Sequence, residues 1–320
     1  MTDGPPIRRR LLVDGIVQGV GFRPFVYNLA RSENLAGFVT NTSEGVIIEV
    51  QGVPASLDRF VGRLRGEAPP LADIVAVDVA DIGIVSDAPD FVIQASVDAP
   101  GTRTLIPFDT ATCADCLAEI RDSGDRRLGY SFTNCTNCGP RWTIIRRIPY
   151  DRPHTSMAPF AMCPDCQAEY DDPGNRRFHA QPNACPVCGP RVWLEDDAGP
   201  VIGQTDPLEA AAGLLAVGRI LGIKGLGGFH LAVRADDEQA VARLRQHKNR
   251  EAKPLAVMAA DLGVARHLGA ISTEAKRLLV SPQAPIVLVE KFGIGIPVAP
   301  GHRRLGVMLP YTPLHHLLFD

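Results

Sequence analysis

Residues 113–119 read C-A-D-C-L-A-E, and fifty positions later residues 163–169 read C-P-D-C-Q-A-E. The second cysteine pairs repeat with the same period, in N-C-T-N-C-G-P-R at 134–141 and A-C-P-V-C-G-P-R at 184–191. Two residues between paired cysteines let both sulfurs turn onto one ion, and four thiolates complete a tetrahedral zinc shell. The array therefore predicts a duplicated zinc-knuckle domain with two structural zinc ions. The predicted ligands are all eight cysteines of the chain: Cys113, Cys116, Cys135, Cys138, Cys163, Cys166, Cys185 and Cys188.

The same cysteines allow other assignments. Four disulfides or a redox dithiol would also use paired thiols, and iron–sulfur ligation fits less well because its cysteines come in uneven runs. A zinc ion with four protein ligands has no open position for water, so this segment should act as a scaffold. The spacing leaves open whether each repeat closes on itself or the pairs are exchanged between repeats.

The composition is that of an ordinary globular protein. Hydrophobic residues make up 45% of the 320 residues and charged residues 22%, which suits two or three domains with buried cores. The net charge of -3 gives no reason to expect a specific nucleic-acid partner. No membrane is expected as a partner, because no apolar stretch is long enough to span one and the N-terminus lacks a secretory core. Reduced thiols with zinc favour the cytoplasm.

Composition divides this α+β multidomain chain into three segments, 8–97, 98–204 and 205–320, with all cysteines in the second. The first segment predicts a β-α-β-β-α-β order, the split ferredoxin-like arrangement. Its predicted elements are a strand with Leu11 and Val13 on one face, a helix with Phe25 and Leu29, a strand at Val46–Val50, a helix from Leu57 to Leu64, and strands near 74–79 and 91–95.

The first strand and the first helix are joined by residues 17–23, V-Q-G-V-G-F-R. Two glycines allow backbone N–H groups to converge at a helix N-terminus, which favours an anion, and Arg23 can add a bidentate fork for a phosphate. A glycine-rich loop by itself is a weak signal, and the alternative interpretation of Arg23 is an ordinary surface arginine.

This heptapeptide resembles the signature of the acylphosphatase family and matches it at all seven positions, with Gly37-Phe38-Val39-x-Asn41 following at a suitable distance. The resemblance implies a ferredoxin-like acylphosphatase domain in which Arg23 binds the acyl phosphate and Asn41 orients the attacking water. The alternative interpretation of Asn41 is a turn residue without a role in catalysis. The resemblance also implies that the loop surrounds the substrate phosphate with Gln18, Gly19, Val20, Gly21 and Phe22.

Three cations, Lys248, Arg250 and Lys253, lie within six residues at the predicted end of a helix in the third segment. Such a cluster could grip a triphosphate, but basic residues also complement the dipole at a helix C-terminus, and spacing does not decide between the two. The segment predicts an α/β domain, with a helix over Leu208–Val217 and strands over Arg219–Lys224, Leu255–Met258 and Ile286–Val289.

Three motifs of this segment resemble the YrdC/Sua5 nucleotide-binding fold as it occurs in the HypF family of carbamoyltransferases. They are K-G-L-G-G-F-H-L at 224–231, K-N-R-E-A-K-P at 248–254, and the S-P-x-x-P segment that begins at Ser281. The order of the three domains is that of the family. His230 has an alternative interpretation as a packed core histidine. The resemblance implies that the YrdC-like domain takes ATP with magnesium as a substrate, bound by Lys224, His230, Lys248, Arg250 and Lys253.

The HypF resemblance further implies a relay of reactions that matures nickel–iron hydrogenases. Carbamoyl phosphate is hydrolysed at the acylphosphatase site, and carbamate then reacts with ATP to give carbamoyl adenylate. The carbamoyl group finally passes to the C-terminal cysteine of the partner HypE. An enclosed route suits carbamate because it is short-lived in water. Family members are longer than this chain, so we expect the YrdC-like domain to be truncated at Asp320 and its ATP binding to be weak or absent.

Two other functions stay open from the sequence. A threonylcarbamoyl-adenylate synthase would share the third domain but has no use for the first two. A non-catalytic zinc scaffold or binding protein would use the knuckles to hold partners, but it would leave the loop at 17–23 without a purpose.

Overall fold

The computed structural model describes residues 4–86, 88, 90–97, 104–201, 206–250, 253–292 and 298–320. The backbone packs into two compact units. The first contains Met1–Phe108 and Asn134–Cys188, and the second contains Asp109–Thr133 and Gly189–Asp320.

The first unit is built on a five-stranded sheet with the strand order β4-β1-β3-β2-β5. Strands β4, β1, β3 and β2 pair antiparallel, and β5 adds a short parallel edge beside β2. The order β1-α1-β2-β3-α2-β4 confirms the predicted ferredoxin-like arrangement. The sequence analysis assigned no strand at β2, and the strand that it placed near 91–95 is β5, which lies outside this order. The elements are β1 (Ile7–Ile16), α1 (Phe22–Ser32), β2 (Ala36–Thr42), β3 (Gly45–Gly52), α2 (Pro54–Gly66), β4 (Asp73–Ile82) and β5 (Val92–Ile93).

One apolar cluster holds this sheet and its two helices together. Side chains on a strand alternate between faces, so Leu11 and Val13 of β1 point the same way and both are fully buried. The β1–β3 register sets Leu11 opposite Ile48, which is buried as well. Val26 of α1 and Phe60 of α2 pack into the same cluster. Burying each such side chain contributes about 1.5–3 kcal/mol to folding.

A tight turn between β2 and β3 places Asn41 near the end of β1. Gly45 follows the turn with a φ of 148°, and a Cβ there would lie 2.4 Å from the carbonyl oxygen of Val13. Only glycine permits so close a backbone approach at this φ. The β2–β3 register pairs Asn41 with Val46, so this turn fixes the position of Asn41.

The two cysteine repeats have the same local structure fifty residues apart. Helix α3 (Ala114–Glu119) begins directly after Cys113, and helix α4 (Pro164–Asp171) begins directly after Cys163. A single 3-10 turn, Arg152–His154, lies between the repeats. The duplication read from the sequence is therefore a duplication of backbone structure.

The second unit contains a four-stranded sheet in the order β10-β13-β12-β11 and two short hairpins, β6–β7 and β8–β9. Strands β10 and β13 are parallel, and the other sheet neighbours are antiparallel. Its elements after α3 are β6 (Glu195–Asp196), β7 (Gly199–Pro200), α5 (Pro207–Ala216), β8 (Leu221–Lys224), β9 (Phe229–Ala232), α6 (Glu238–His247), β10 (Val257–Met258), α7 (Leu262–Leu268), β11 (Gly269–Ala270), α8 (Thr273–Leu279), β12 (Val287–Lys291), β13 (Arg304–Met308) and α9 (Pro313–Phe319).

The predicted α/β character of this part is confirmed. Helix α6 begins after Asp237, whose carboxylate accepts a hydrogen bond of 2.9 Å from the N–H of Ala240, and it buries Val241 and Leu244. The sequence analysis left α7, α8, α9 and β13 unassigned. These elements have only five to seven residues each, which is too short for a clear apolar periodicity.

The helices are short throughout. The longest in the part of the chain described is α2, with 13 residues, whereas a membrane span needs about 20 apolar residues. None of the described helices is long and apolar enough to cross a bilayer.

Replacing the buried Ile48 by alanine should lower the free energy of unfolding by about 2–5 kcal/mol, because the side chain leaves a cavity between β3 and the helices. Urea denaturation followed by circular dichroism measures the effect. Val75→Ala on β4 is the control, since Val75 is 63% exposed and should change stability little. Equal effects of the two substitutions would contradict the assignment of this core.

Candidate active site and metal centres

The loop between β1 and α1 has the conformation that its two glycines permit. Gly19 and Gly21 have φ values of 71° and 75°, both in the left-handed region, and Gly21 is the N-cap residue of α1. A helix N-terminus leaves its first N–H groups without intrahelical partners, and its dipole favours an anion. The side chains of Val20 and Phe22 are buried in the apolar cluster. The loop can therefore offer backbone donors to a ligand.

Arg23 projects from the first turn of α1 and is almost completely buried. Its Nη2 donates a 2.9 Å hydrogen bond to the carboxylate of Asp151 in an ion pair, and its Nη1 donates to Ser96 Oγ at 3.3 Å. A buried guanidinium without a partner would be strongly destabilising, so Asp151 stabilises the charged side chain.

Asn41 lies on β2 and lines the same cavity as Arg23. The residue is 1% exposed, and among the residues that the structure describes its side-chain oxygen Oδ1 has no hydrogen-bond partner. A buried acceptor without a donor costs about 1–3 kcal/mol, so this oxygen is suited to a water or ligand that donates to it.

Residues 134–188 form the opposite wall of the cavity, through Arg141, Tyr150, His179 and Pro182. The guanidinium of Arg141 has five N–H donors, and all five meet carbonyl oxygens. Nε donates to Gly19 of the loop. Nη1 and Nη2 donate to four carbonyls of the knuckle, those of Cys135, Thr136, Cys138 and Pro140.

The side chain of Gln18 anchors the loop. Its amide nitrogen donates to the carbonyl oxygens of Thr42 and Gly45 at 2.7 and 3.1 Å, and its oxygen accepts from the N–H of Tyr150 at 3.0 Å. The Gln18 amide therefore joins the turn between β2 and β3 to the backbone of Tyr150 in the cavity lining.

His179 lies in the cavity wall with a φ of 53°, which is unusual for a residue other than glycine. Its ring packs against Tyr170 and Phe178, with centroid separations of 4.8 and 4.7 Å. Burial, with the charge of Arg23 as a smaller contribution, lowers the pKa of His179 to about 4.

The eight cysteine sulfurs form two sets of four, and the atoms of each set lie within 4.8 Å of one another. Each repeat closes on itself, which settles the pairing left open by the sequence: the sets are Cys113, Cys116, Cys135 and Cys138, and Cys163, Cys166, Cys185 and Cys188.

The sulfur geometry fits zinc and not disulfides. Four pairs of neighbouring sulfurs are 3.6 to 3.8 Å apart. Tetrahedral zinc with bonds of about 2.3 Å requires sulfurs about 3.8 Å apart, whereas a disulfide requires about 2.05 Å. None of the eight cysteines, all within the described ranges, forms a disulfide. Two structural zinc ions therefore fit the chain.

The cationic residues expected to hold a nucleotide lie in the second unit. Lys248 and Lys253 are exposed, and the Lys224 ammonium lies 4.9 Å from the ring centroid of Phe229. The guanidinium of Arg245 donates to the carbonyl oxygens of Arg250 and Lys253 at 3.1 and 3.0 Å, which holds the backbone at these two residues.

His230 of β9 is half-buried and packs against a second histidine. The ring centroids of His230 and His315 are 5.2 Å apart, and Tyr311 lies 4.5 Å from His315. His315 is 2% exposed, and burial lowers its pKa to about 3. His230 thus has the packing expected of a core histidine. It also lies on β9, within the motif at residues 224–231.

Sequence reasoning missed Arg141, Asp151, His179 and Arg245. A signal was available for His179, because the fifty-residue period aligns it with Gly129 and so exposes a glycine-to-histidine difference between the repeats. The roles of Arg141 and Asp151 depend on contacts with residues 122 and 128 positions away, for which the local sequence contains no signal.

Three family profiles match the chain in succession. The acylphosphatase profile matches residues 9–93, the HypF finger profile matches 112–145 and 162–195, and a profile described as telomere recombination matches 213–320.

The chain is similar over nearly its whole length to carbamoyltransferases described as HypF. The HypF of Rhodobacter capsulatus is 54% identical over 313 residues, which are 97% of this chain and 41% of that protein. A crystal structure of full-length HypF in a phosphate- and nucleotide-bound form is 44% identical with a TM-score of 0.93, and covers 98% of this chain and 41% of its own. An acylphosphatase of Caldivirga maquilingensis is 34% identical over 93 residues, 28% of this chain and 97% of that protein. The chain spans about two fifths of the length of the HypF relatives that it matches.

Protein purified without chelator should contain close to two equivalents of zinc per chain, because there are two complete four-thiolate sets. Cys135→Ser should reduce the content to about one equivalent and destabilise its repeat. Atomic emission analysis measures both. Asn137→Ser, within the same cysteine pair but not a ligand, should keep two equivalents. Metal content near zero together with titratable disulfides would contradict the assignment.

Proposed function

The chain belongs to the HypF family of carbamoyltransferases, and from this premise we propose that its first unit hydrolyses carbamoyl phosphate in the cavity between Arg23 and Asn41. The observation that carries the proposal is the buried Oδ1 of Asn41, which has no partner in the described structure and lines the same cavity as Arg23 and the left-handed loop. An anion-binding loop and an acceptor for water are the two parts that an acyl-phosphate hydrolase needs.

In the proposed reaction the phosphoryl group lies on the loop N–H groups at the start of α1 and on the Arg23 guanidinium. These donors offset the charge that develops on the phosphoryl oxygens. Asn41 accepts a hydrogen bond from a water and orients it towards phosphorus. The water oxygen forms the new bond, the bond between phosphorus and the acyl oxygen breaks, and the products are phosphate and carbamate.

We propose that the second unit then activates carbamate with ATP and magnesium. Carbamate attacks the α-phosphorus, pyrophosphate leaves, and carbamoyl adenylate forms. Lys224, Lys248, Arg250 and Lys253 are the proposed partners of the phosphates, and His230 lies on the adjacent strand. The nucleotide in the similar HypF crystal structure supports this role. The proposed final acceptor of the carbamoyl group is the C-terminal cysteine of HypE, and the proposed location is the cytoplasm, where thiols stay reduced.

The alternatives drawn from the sequence account for less of the chain. A threonylcarbamoyl-adenylate synthase leaves the acylphosphatase match at residues 9–93 unused, and a zinc scaffold leaves both flanking matches unused.

Arg23→Lys should reduce the rate of phosphate release from carbamoyl phosphate by about 100-fold or more, because an ammonium cannot reproduce the planar fork of a guanidinium. Asn41→Ala should lower kcat more than it raises KM, since it removes the group that orients water. A colorimetric phosphate assay measures both. Arg31→Lys, on the exposed side of the same helix, is the control. Folded variants that keep the parent's rate would place the active site elsewhere.

Lys248→Ala should weaken ATP binding by about tenfold to 100-fold, because a charge-assisted contact to phosphate is worth about 1.5–3 kcal/mol. Because the parent chain itself is expected to bind ATP weakly, titration calorimetry with ATP and magnesium compares the variant with the parent at protein concentrations high enough to detect weak binding. Lys276→Ala, a lysine on α8, is the control and should bind like the parent. An unchanged affinity in Lys248→Ala would contradict the proposed phosphate contact.

A further inference from the structure

His179 occupies a backbone position that the first repeat fills with glycine. Gly129 and His179 are fifty residues apart and have φ values of 67° and 53°. The N–H of Gly129 donates to the carbonyl of Ile120 at 2.9 Å, and the N–H of His179 donates to that of Tyr170 at 3.0 Å, again nine residues earlier. Both repeats therefore build the same left-handed turn.

The turn itself does not call for a histidine. Glycine adopts the left-handed region without strain, whereas a residue with a Cβ is destabilised there. Side chains that persist in such conformations cluster at functional sites. The turn at Gly129 in the first repeat thus shows that the same turn forms without a side chain. The side chain of His179 is therefore not required by the turn.

The imidazole of His179 is held in a fixed place on the cavity wall. Tyr170 and Phe178 pack against the ring. Gln181 donates to the carbonyl oxygen of His179 at 2.8 Å and to the hydroxyl of Tyr170 at 2.9 Å, which ties backbone and packing partner together. Neither ring nitrogen is hydrogen-bonded to any residue in the described ranges, so both remain for a ligand or water.

The imidazole of His179 is suited to form a hydrogen bond with an uncharged group of a ligand. With its pKa lowered to about 4 by burial and by Arg23, the imidazole is neutral at pH 7. A neutral imidazole has one N–H donor and one lone-pair acceptor, and it adds no charge to the grip on a phosphate. In the proposed complex the loop and Arg23 bind the phosphoryl group. The acyl end of the substrate then faces the part of the cavity lining that contains His179.

We propose that His179 is the residue that selects the carbamoyl group, its unprotonated ring nitrogen accepting a hydrogen bond from the amino group of carbamoyl phosphate. The inference rests on the proposed hydrolysis in this cavity. Acetyl phosphate has nearly the same shape but carries a methyl group in place of the amino group. A site built to pair an N–H rejects the analogue that lacks it, because the buried acceptor is then left without a donor.

The test compares kcat/KM for carbamoyl phosphate and acetyl phosphate, measured by phosphate release in the whole chain. In His179→Gly the ratio of the two values should fall at least about tenfold. Glycine relieves the left-handed strain of this turn but loses the packing of the ring against Tyr170 and Phe178, so the thermal midpoint should change little. His179→Asn, which tolerates the left-handed conformation and keeps an acceptor oxygen, should recover part of the ratio.

The outcomes separate this inference from the function on which it rests. A parent chain that hydrolyses neither substrate would overturn the proposed hydrolysis and the role of His179 with it. A parent that hydrolyses both, with the same ratio in His179→Gly, would overturn the role of His179 only. Equal losses on both substrates in the glycine variant would also overturn it, since the side chain would then act on the phosphoryl end or on the fold.

Discussion

The join between the loop at 17–23 and the zinc knuckle depends on the buried guanidinium of Arg141. A charge removed from water must be fully satisfied, and here each of the five N–H donors meets a backbone carbonyl. One of those carbonyls belongs to Gly19 in the loop before α1, and the others belong to the knuckle around Cys135 and Cys138. Since the carbonyls converge on one planar group, loop and knuckle hold each other in place.

This arrangement explains how the knuckle segment supports a cavity whose proposed anion-binding groups, the loop and Arg23, come from the ferredoxin-like fold. Zinc bound by four thiolates is closed to substrate, so its contribution is to make the surrounding backbone rigid. That rigidity reaches the cavity through Arg141 and through the N–H of Tyr150, which holds Gln18. Asp151, the next residue, forms the ion pair with Arg23. The scaffold thereby orients the cation that is proposed to bind phosphate.

The two cysteine repeats share their metal-binding structure but differ in what they contribute to the cavity. The repeats keep what the metal and the turns require, including buried arginines at the equivalent positions 127 and 177. They differ at positions 129 and 179, where one turn carries no side chain and the other carries an imidazole in a cavity wall. A repeat can diverge there because the turn is held by a backbone hydrogen bond that does not depend on the side chain.

The sequence by itself determined the zinc ligands as a set, the loop at residues 17–23 and the order of elements in the ferredoxin-like sheet. These features are local, because cysteine spacing, glycine positions and apolar periodicity act over a few residues. Tertiary structure alone decided that the four sulfurs of each repeat meet and that Arg141 and Asp151 contact the loop, with His179 lining the same cavity. The contacts of Arg141 and Asp151 join residues more than 120 positions apart, and their geometry follows from how the backbone packs, for which a local pattern contains no signal.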